Sequence, residues 1–589
     1  MSDLSQLMPT TDDINFYTAD PDLAFLLRRS LSDNDYERAQ KLLTDMGAVA
    51  SQRMDALAEI ANRQGPVLQQ FDKRGQRIDE IIFHPAYHEL EYIAYEQFAI
   101  AACSHRMGAL GWPGHVPQSV KFALGYLGMQ AESGVFCPVS MTDALARVLE
   151  RYGSEDLKRR FLPGLTALTM QELQQGAMFL TEKQGGSDVG LTTTIARPLP
   201  INQSSQRELQ PQWELWGEKW FCSNASADLI LTLARPEGAP SGTRGLGLFL
   251  VPRTLDDGRR NTYTIERLKD KLGTRSLATG EVKLHGAQAY LVGELGRGFV
   301  QMTEMINLTR IWAAIGSLAA MRRSYLEAIV HTRGRVVFGR ALSEHPLMRR
   351  QLIDLLIEVE GCAVLAFETI AVLERVDRGG TDEDRRLLRI LTPLCKYYIP
   401  KRGEYVTLEA LEMRGGNGYV EEWVNARMLR DAIVNVVWEG SSNVIVLDVA
   451  RSMAKEGAES ALFNSLYQRL QSLQHTFIVS VAREVLPLLH QLAERLQRLA
   501  TLDDENAQLP LRGLVERLAQ LTIVTLLLEQ AETELARGPA GTGKRKWLIA
   551  LLYLHRHVLV HPDGWAADDD PTALNHFAAL VDWRSVSPQ

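Results

Sequence analysis

The sequence predicts an α+β protein in which one β domain is set between helical domains. Three observations carry this. Before about residue 174 apolar side chains recur every three or four positions, as in Tyr92, Tyr95, Phe98 and Ala102. Between 174 and 297 short strand-like runs, of which 213–220 alternates large apolar and polar side chains, are separated by Gly, Pro and Asp. After Gly298-Phe299 long helical patterns resume. At 589 residues the chain is too long for one core and should divide into several domains. The expected division is an N-terminal arm (1–35), an N-terminal helical domain (36–173), a central β domain (174–297), a helical region with the candidate catalytic loop (298–455) and an additional C-terminal helical domain (456–589).

The arm is read from its polar, turn-rich composition, with Pro9-Thr10-Thr11-Asp12-Asp13 and Asp20-Pro21-Asp22. In the helical domain that follows, a helix is expected over Met141–Leu149, capped near Ser140. Strands are expected at 213–220, where large apolar and polar residues alternate, and at 229–233, 246–251, 263–268 and 281–284, short runs separated by Gly, Pro and Asp. A polar linker at Thr501-Leu502-Asp503-Asp504-Glu505-Asn506 interrupts the last helical block.

Composition narrows the function classes. Apolar and charged fractions of 46% and 23% are those of an ordinary soluble globular protein. The net charge of −8 gives no general attraction to nucleic acid or to an anionic membrane. The five cysteines have no CxxC pair and no metal-like spacing, which fits a reducing cytosol, and no metal is expected. The N-terminus lacks signal-peptide features, and no apolar stretch is long enough to span a bilayer, so a cytoplasmic location is expected.

Four segments carry candidate chemistry. Glu439 lies in Val436-Val437-Trp438-Glu439-Gly440-Ser441-Ser442-Asn443. Apolar neighbours would strip its water and make it a stronger base. The plain alternative is a solvated acid ahead of a helix that Ser441 or Ser442 caps. Upstream, Phe179-Leu180-Thr181-Glu182-Lys183-Gln184-Gly185-Gly186-Ser187-Asp188-Val189 offers hydroxyls and a glycine turn for close backbone approach. It could equally be a tight turn capped by Ser or Asp. Lys219-Trp220-Phe221-Cys222-Ser223-Asn224 sets an aromatic pair on a strand, for stacking on a planar cofactor or for cross-strand packing. Arg333-Gly334-Arg335-Val336-Val337-Phe338-Gly339-Arg340 suits phosphate recognition, or simply places cations at a helix C-terminus. The glycine turn Arg414-Gly415-Gly416-Asn417-Gly418-Tyr419 precedes Glu439.

Together, in this order, these segments resemble the acyl-CoA dehydrogenases, a family of FAD enzymes. The matching residues are Thr181-Glu182 with Gly186-Ser187-Asp188, Arg335 with Phe338-Gly339, and Gly415 through Tyr419 with Glu439-Gly440. The resemblance covers about 60–455. Further stretches are similar to the AidB-like branch of that family: Phe83-His84-Pro85-Ala86-Tyr87-His88, Arg267-Leu268-Lys269-Asp270-Lys271-Leu272-Gly273 and Trp438-Glu439-Gly440-Ser441, together with the extra C-terminal helices.

The resemblance implies a β-barrel-like central domain, a C-terminal four-helix bundle and α,β-dehydrogenation of an acyl-CoA thioester. Glu439 would be the general base, its backbone N–H and an FAD ribityl hydroxyl polarising the thioester oxygen. Thr181, Ser187, Phe221, Ser223, Arg335, Phe338, Gly415, Gly416, Ser441 and Asn443 would contact FAD. In this set Phe221 and Ser223 stand where Trp and Thr are usual. Ser187, Arg310 and Trp438 would contact substrate. Arg335, Phe338, Gly415 and Gly416 would hold the FAD of a neighbouring subunit, so a homodimer or homotetramer is implied. An electron acceptor is implied but not named. Departures from the family pattern are Glu412 for Gln, Asn307 for Asp and Trp438 for a smaller Tyr, which would narrow the acyl pocket.

The rival reading is double-stranded DNA binding in an alkylation response, because AidB-like proteins are tied to that response. Residues 452–589 carry 13 basic and 16 acidic side chains, against a generally cationic domain. A local patch would have to come from Arg495 and Arg498 or from Lys544 to Lys546. Gly538-Pro539-Ala540-Gly541-Thr542-Gly543-Lys544-Arg545 resembles a P-loop but has Arg545 where Ser or Thr is required. A surface loop with Lys544-Arg545-Lys546 solvated is expected instead. His84 and His88 are four apart but have no evident third ligand, so a structural role is expected for both.

Overall fold

The structure is a computed structural model, and it describes residues 8–200, 209–499, 503–537, 544–559 and 572–583. The chain forms two units, 41–312 and a second made of 1–40 with 313–589.

The unit 41–312 combines helices with a β-barrel. The helix Gln118–Met129 is buried almost all round. Its glycines allow close packing: a Cβ at Gly125 would lie 2.2 Å from the Trp312 ring, and one at Gly128 would lie 2.3 Å from Phe136. The expected helix at Met141 begins earlier, at Phe136, and runs to Tyr152. Ser140 lies inside it, its Oγ donating to Cys137 O at 2.8 Å, so it is no cap. Within the expected helical domain two strands, β1 (Val67–Phe71) and β2 (Arg77–Ile82), form an antiparallel hairpin that the helical reading missed.

The β domain contains β3 (Gly176–Phe179), β4 (Ile195–Pro198), β5 (Trp213–Ser223), β6 (Leu229–Pro236), β7 (Gly247–Pro252), β8 (Tyr263–Leu268) and β9 (Thr279–Val292). All five strands expected from the sequence are present, with β9 much longer than the run that signalled it. Pairing runs β4–β5–β9–β7–β6 and returns from β6 to β4, which closes a ring. The strands β3 and β8 add to β6 and β9. The inward side chains form one apolar core, including Phe179, Leu215, Phe249, Val251, Ile265 and Val282.

The second unit is helical. The segment expected as an irregular arm contains the helix Pro21–Ser30, capped by Asp20, whose side chain accepts from Leu23 N. Phe16, Tyr17, Leu23, Leu26 and Leu27 are buried. The Asp20-Pro21-Asp22 string that looked like a loop is a helix start: a cap, a proline at the first position and an acid in the first turn. The helix Pro346–Asp377 and the helix Asp382–Met413 are joined by a short turn, and a Thr381/Asp384 capping box starts the second. The helices Ser442–Glu456, Ala458–Ser472, Thr476–Leu499 and Leu511–Arg537 follow. Thr501 and Leu502 of the expected linker lie outside the described residues. Asp503 caps the short helix Asp504–Gln508.

Candidate functional site

In the unit 41–312 the Thr181 and Trp220 segments come together. Trp220 N donates to Thr181 O at 2.8 Å. The register of β5 against β9 shifts between Lys219 and Cys222, so Trp220 and Phe221 sit on a bulge. Bulges re-aim side chains, and Phe221 is 54% exposed on a strand whose alternate residue Cys222 is buried. Lys269 places its ammonium 3.4 Å from the Trp220 ring centre and 4.9 Å from that of Phe221. Ser223 Oγ lies 3.4 Å from Thr279 Oγ1. Thr181 is half-buried, Ser187 exposed and Arg310 buried, with its guanidinium 3.3 Å from Asn307 Oδ1.

The glycine turn is built around Glu182. Its Oε1 accepts from Thr194 N, Thr194 Oγ1 and Lys219 Nζ at 3.1, 2.6 and 2.9 Å. Its Oε2 accepts from Thr193 N, Thr193 Oγ1 and Gln184 Nε2 at 2.7, 2.6 and 3.0 Å. Burial pushes this carboxyl up, but the Lys219 ammonium and the threonine hydrogen bonds outweigh it and hold it well below the usual range. Gly186 must be glycine for a local reason, since a Cβ there would lie 2.5 Å from Thr181 Oγ1. Gly185 has φ 117° and open space around it.

The second group lies in the helical unit. Glu439 sits in the turn between the helix Val424–Val434 and the helix Ser442–Glu456, half-buried, with φ 57°. Left-handed backbone is costly for a residue with a Cβ, by roughly 1–2 kcal/mol. Such strain gathers where function needs a fixed side chain. Gly440 follows with φ 109°, and its carbonyl accepts from the buried Lys396 Nζ at 2.9 Å. Trp438 is half-buried and donates from Nε1 to Asn435 Oδ1 at 2.8 Å. Val437 is 61% exposed, so the apolar run does not itself dry the carboxylate as the sequence suggested. Ser441 occupies the N-cap position of its helix without a side-chain cap bond; Ser441 and Asn443 are both exposed.

The arginine segment does not continue its helix. Past Gly334 it forms a hairpin of β10 (Val336–Val337) and β11 (Arg340–Ala341). The two turn residues Phe338 and Gly339 have φ 50° and 81°, and Phe338 is 96% exposed. Arg335 is exposed beside it. Gly415 has φ 67°, and added Cβ atoms at Gly415 and Gly416 would meet nothing within 4 Å, so another molecule can approach this backbone closely. Arg414 is buried against the Trp423 ring and paired with Glu327. Glu412 is exposed.

Sequence reasoning missed Lys219, Lys396 and the anchoring role of Glu182. A signal existed for Lys396: one lysine inside the apolar run Leu394-Cys395-Lys396-Tyr397-Tyr398-Ile399. The expectation of a solvated Lys544-Arg545-Lys546 is overturned for Arg545 and Lys546, while Lys544 is half-buried. Residues 538–543 of the P-loop-like string lie outside the described residues, but Arg545 and Lys546 open the helix Arg545–His557 and are buried. Lys546 pairs with Glu360 at 2.8 Å and with Asp22, and Arg545 pairs with Glu360 at 3.1 Å while lying over the Trp583 ring. They are therefore no surface patch for a phosphate backbone. Arg495 and Arg498 are exposed. His84 caps its helix by accepting from Ala86 N, and His88 pairs with Glu91.

The candidate residues fit a flavin. In the unit 41–312 an exposed aromatic face at Phe221 stands by an ammonium and Thr181 offers a hydroxyl; taken by itself, the helical unit offers uncovered backbone at Gly415 and Gly416. Comparison with known proteins agrees. Family models match 7–170 (adaptive response protein AidB N-terminal domain), 177–287 (acyl-CoA dehydrogenase, middle domain) and 296–454 (acyl-CoA dehydrogenase, C-terminal domain). The chain is 34% identical to AidB of Escherichia coli (strain K12) over 483 residues, 80% of this chain and 83% of that one. It is 34% identical to acyl-CoA dehydrogenase family member 11 of Caenorhabditis elegans over 460 residues, 76% and 72% of the two chains. The solved structure of Caenorhabditis elegans ACDH-11 in complex with C11-CoA superposes with a TM-score of 0.84 at 28% identity, covering 96% of this chain and 95% of that one. Three matched domains in their family order, on this fold, place the chain in the acyl-CoA dehydrogenase family, whose members are FAD-dependent oxidoreductases acting on CH–CH bonds.

Proposed function

We propose that this protein dehydrogenates an acyl-CoA thioester between its α and β carbons, with Glu439 as the base. The observation that supports this most is the backbone of Glu439. A glutamate in left-handed conformation, tethered through Gly440 to a buried lysine, is costly to build for a solvated surface acid. FAD supplies the hydride acceptor when bound. The Glu439 carboxylate takes the proton from the carbon next to the thioester carbonyl, within hydrogen-bond reach of it. Lys396 and the N-terminus of the helix Ser442–Glu456 hold the turn that presents this carboxylate. Trp438, fixed by Asn435, shapes the acyl pocket and limits its width. Thr181, Ser187, Phe221 and Ser223 orient the flavin, and Arg310 and Ser187 hold the CoA ester. Ser441 and Asn443 complete the cofactor contacts.

Arg335, Phe338, Gly415 and Gly416 serve the cofactor of a second copy of the chain in a homodimer or homotetramer. The nearly complete exposure of Phe338 on a hairpin tip supports this, because an apolar ring so placed has its partner elsewhere. An acyl-CoA substrate is further supported by the C11-CoA bound to the nematode relative. Among the described residues no helix is long and apolar enough to cross a membrane. The test is anaerobic titration of the purified flavoprotein with acyl-CoAs of increasing chain length. Bleaching of the flavin band by at least one of them is expected. A protein that carries no FAD, or whose flavin no acyl-CoA bleaches, rules the reading out.

A further inference from the structure

Lys269 follows β8 directly, and its backbone N–H donates to Thr279 O on β9 at 2.8 Å, so the barrel fixes its place. Its side chain is only 12% accessible. The ammonium lies 3.4 Å from the centre of the Trp220 ring and 4.9 Å from that of Phe221, the two residues of the β5 bulge. A cation over an aromatic face is favourable, and more so away from water. Packing alone would account for Lys269 if its charge were balanced.

It is not balanced. Arg267 stands opposite Glu281 in the register of β8 against β9. Glu281 Oε1 accepts from Arg267 Nε at 2.7 Å and from Lys269 Nζ at 2.5 Å. One carboxylate therefore answers two cations, and neither has another ion-pair partner among the described residues. Glu218, on β5, is likewise shared by Lys183 and Lys283, at 2.5 and 3.5 Å. Lys183 lies 5.4 Å from the Trp220 ring centre. Arg267, Lys183 and Lys283 are exposed, so water and salt screen them. The surplus charge that acts at a distance is that of Lys269, which is withdrawn from water.

This surplus has a use beside a flavin. In the reaction proposed above Glu439 takes a proton, and the flavin takes a hydride from the β carbon. A hydride is two electrons and one proton, so the ring that accepts it gains one negative charge. Charge placed near that ring is one of the means by which a protein sets its electronics. A flavin stacked on Phe221 at the usual contact distance of about 3.5–4 Å has ring atoms within roughly 9 Å of the ammonium, whichever face it uses. Over such a distance, at an effective dielectric constant of about 20, one unit charge changes an equilibrium on the order of tenfold.

We propose that Lys269 raises the reduction potential of the flavin, its charge stabilising the ring after hydride transfer. The proposal rests on the reading that FAD packs against Phe221. The test is the midpoint potential of the full-length flavoprotein, measured by anaerobic reduction beside a reference dye and read by absorbance. Lys269→Met keeps most of the stem and drops the charge. It should move the two-electron reduction equilibrium about tenfold toward the oxidised flavin, about 30 mV. Lys269→Arg should stay within about threefold of the parent protein. Glu281→Gln leaves both cations unanswered and should move the equilibrium severalfold the other way. Opposite signs in Lys269→Met and Glu281→Gln are not expected of residues that only hold the bulge in shape. With FAD bound, an unchanged potential in Lys269→Met, or shifts of one sign in both variants, would overturn the proposal alone. If Lys269→Met fails to fold or to hold FAD, Glu281→Gln decides, and no rise in its potential overturns the proposal. A parent protein that carries no FAD would overturn the proposed function and this inference with it.

Discussion

Glu182 and Glu439 both stand at turns rich in glycine, and both belong to segments that mark the family. Their surroundings differ. Glu182 receives six hydrogen bonds, among them one from the buried ammonium of Lys219. A carboxylate has about four lone-pair directions, so this one is saturated, and it is held strongly acidic. It has no capacity left to take a proton from a substrate. Its work is to pin the Thr181 turn to the barrel. Glu439 differs in its backbone: it is a half-buried residue in left-handed conformation, in a turn secured by a bond to its neighbour's carbonyl. The comparison teaches that a carboxylate next to glycine is read by what surrounds it. Saturation marks Glu182 as an anchor, and the left-handed backbone of Glu439 fits the role proposed for it.

The strongest way to break this contrast is Glu439→Gln. Loss of a general base should slow flavin reduction by acyl-CoA about 10²–10⁴-fold, with the melting temperature nearly unchanged. Stopped-flow absorbance under anaerobic conditions reads the rate. A fully active variant would move the base elsewhere.

The complementary change is Lys219→Met, which leaves Glu182 buried without its cation. Breaking a buried pair in this way costs about 3–5 kcal/mol, visible in a urea titration. If stability were unaffected, Glu182 would not be the anchor.

Acid sharpens the same point. The folded Glu182 carboxyl is depressed, so its contribution is fully present above the unfolded value of about 4.3 and is lost as pH falls below it. The stability gap between the parent protein and Glu182→Gln should therefore narrow as pH drops below about 4. A gap that widens there would reverse the sign of the assignment.

The opposite end of the scale is read by His105, in the same unit, which sits between Asp143 and Glu150. Burial opposes its charge, but the two carboxylates win and raise it to about 9. Its contribution is complete below the unfolded value of about 6.5 and is lost as pH rises through about 9. His105→Gln should flatten the alkaline limb of the thermal stability curve and leave the acid limb in place.

The smallest expected effect is on the strain itself. Glu439→Gly should raise stability by roughly 1 kcal/mol, because glycine adopts the left-handed turn freely, while abolishing turnover. A loss of stability instead would mean that the Glu439 side chain contributes more packing than its backbone costs.

Much of this was legible in the chain. The alternation of Trp213 to Trp220 announced a strand on a half-buried face, and the short apolar runs at 229 and 246, bounded by Gly, Pro and Asp, announced strands that are buried along their length. The joint order of the Thr181, Arg335, Gly415 and Glu439 segments announced the family. The N-terminal helix at Pro21 and the hairpin at Val67 were not read. In the first, capping residues imitate a loop; in the second, two short strands sit among long helices.

The sequence alone thus determined the class of fold and the family, since periodicity and turn chemistry are local properties. Only the tertiary structure decided which charges are buried and what answers them. Lys219 meets Glu182 across 37 residues, Lys396 meets Gly440 across 44, Arg545 meets Glu360 across 185 and Lys546 meets Asp22 across 524. Partners that far apart are chosen by packing, not by pattern. A lysine among glycines looks solvated until the helix that carries it is docked against the acids that neutralise it.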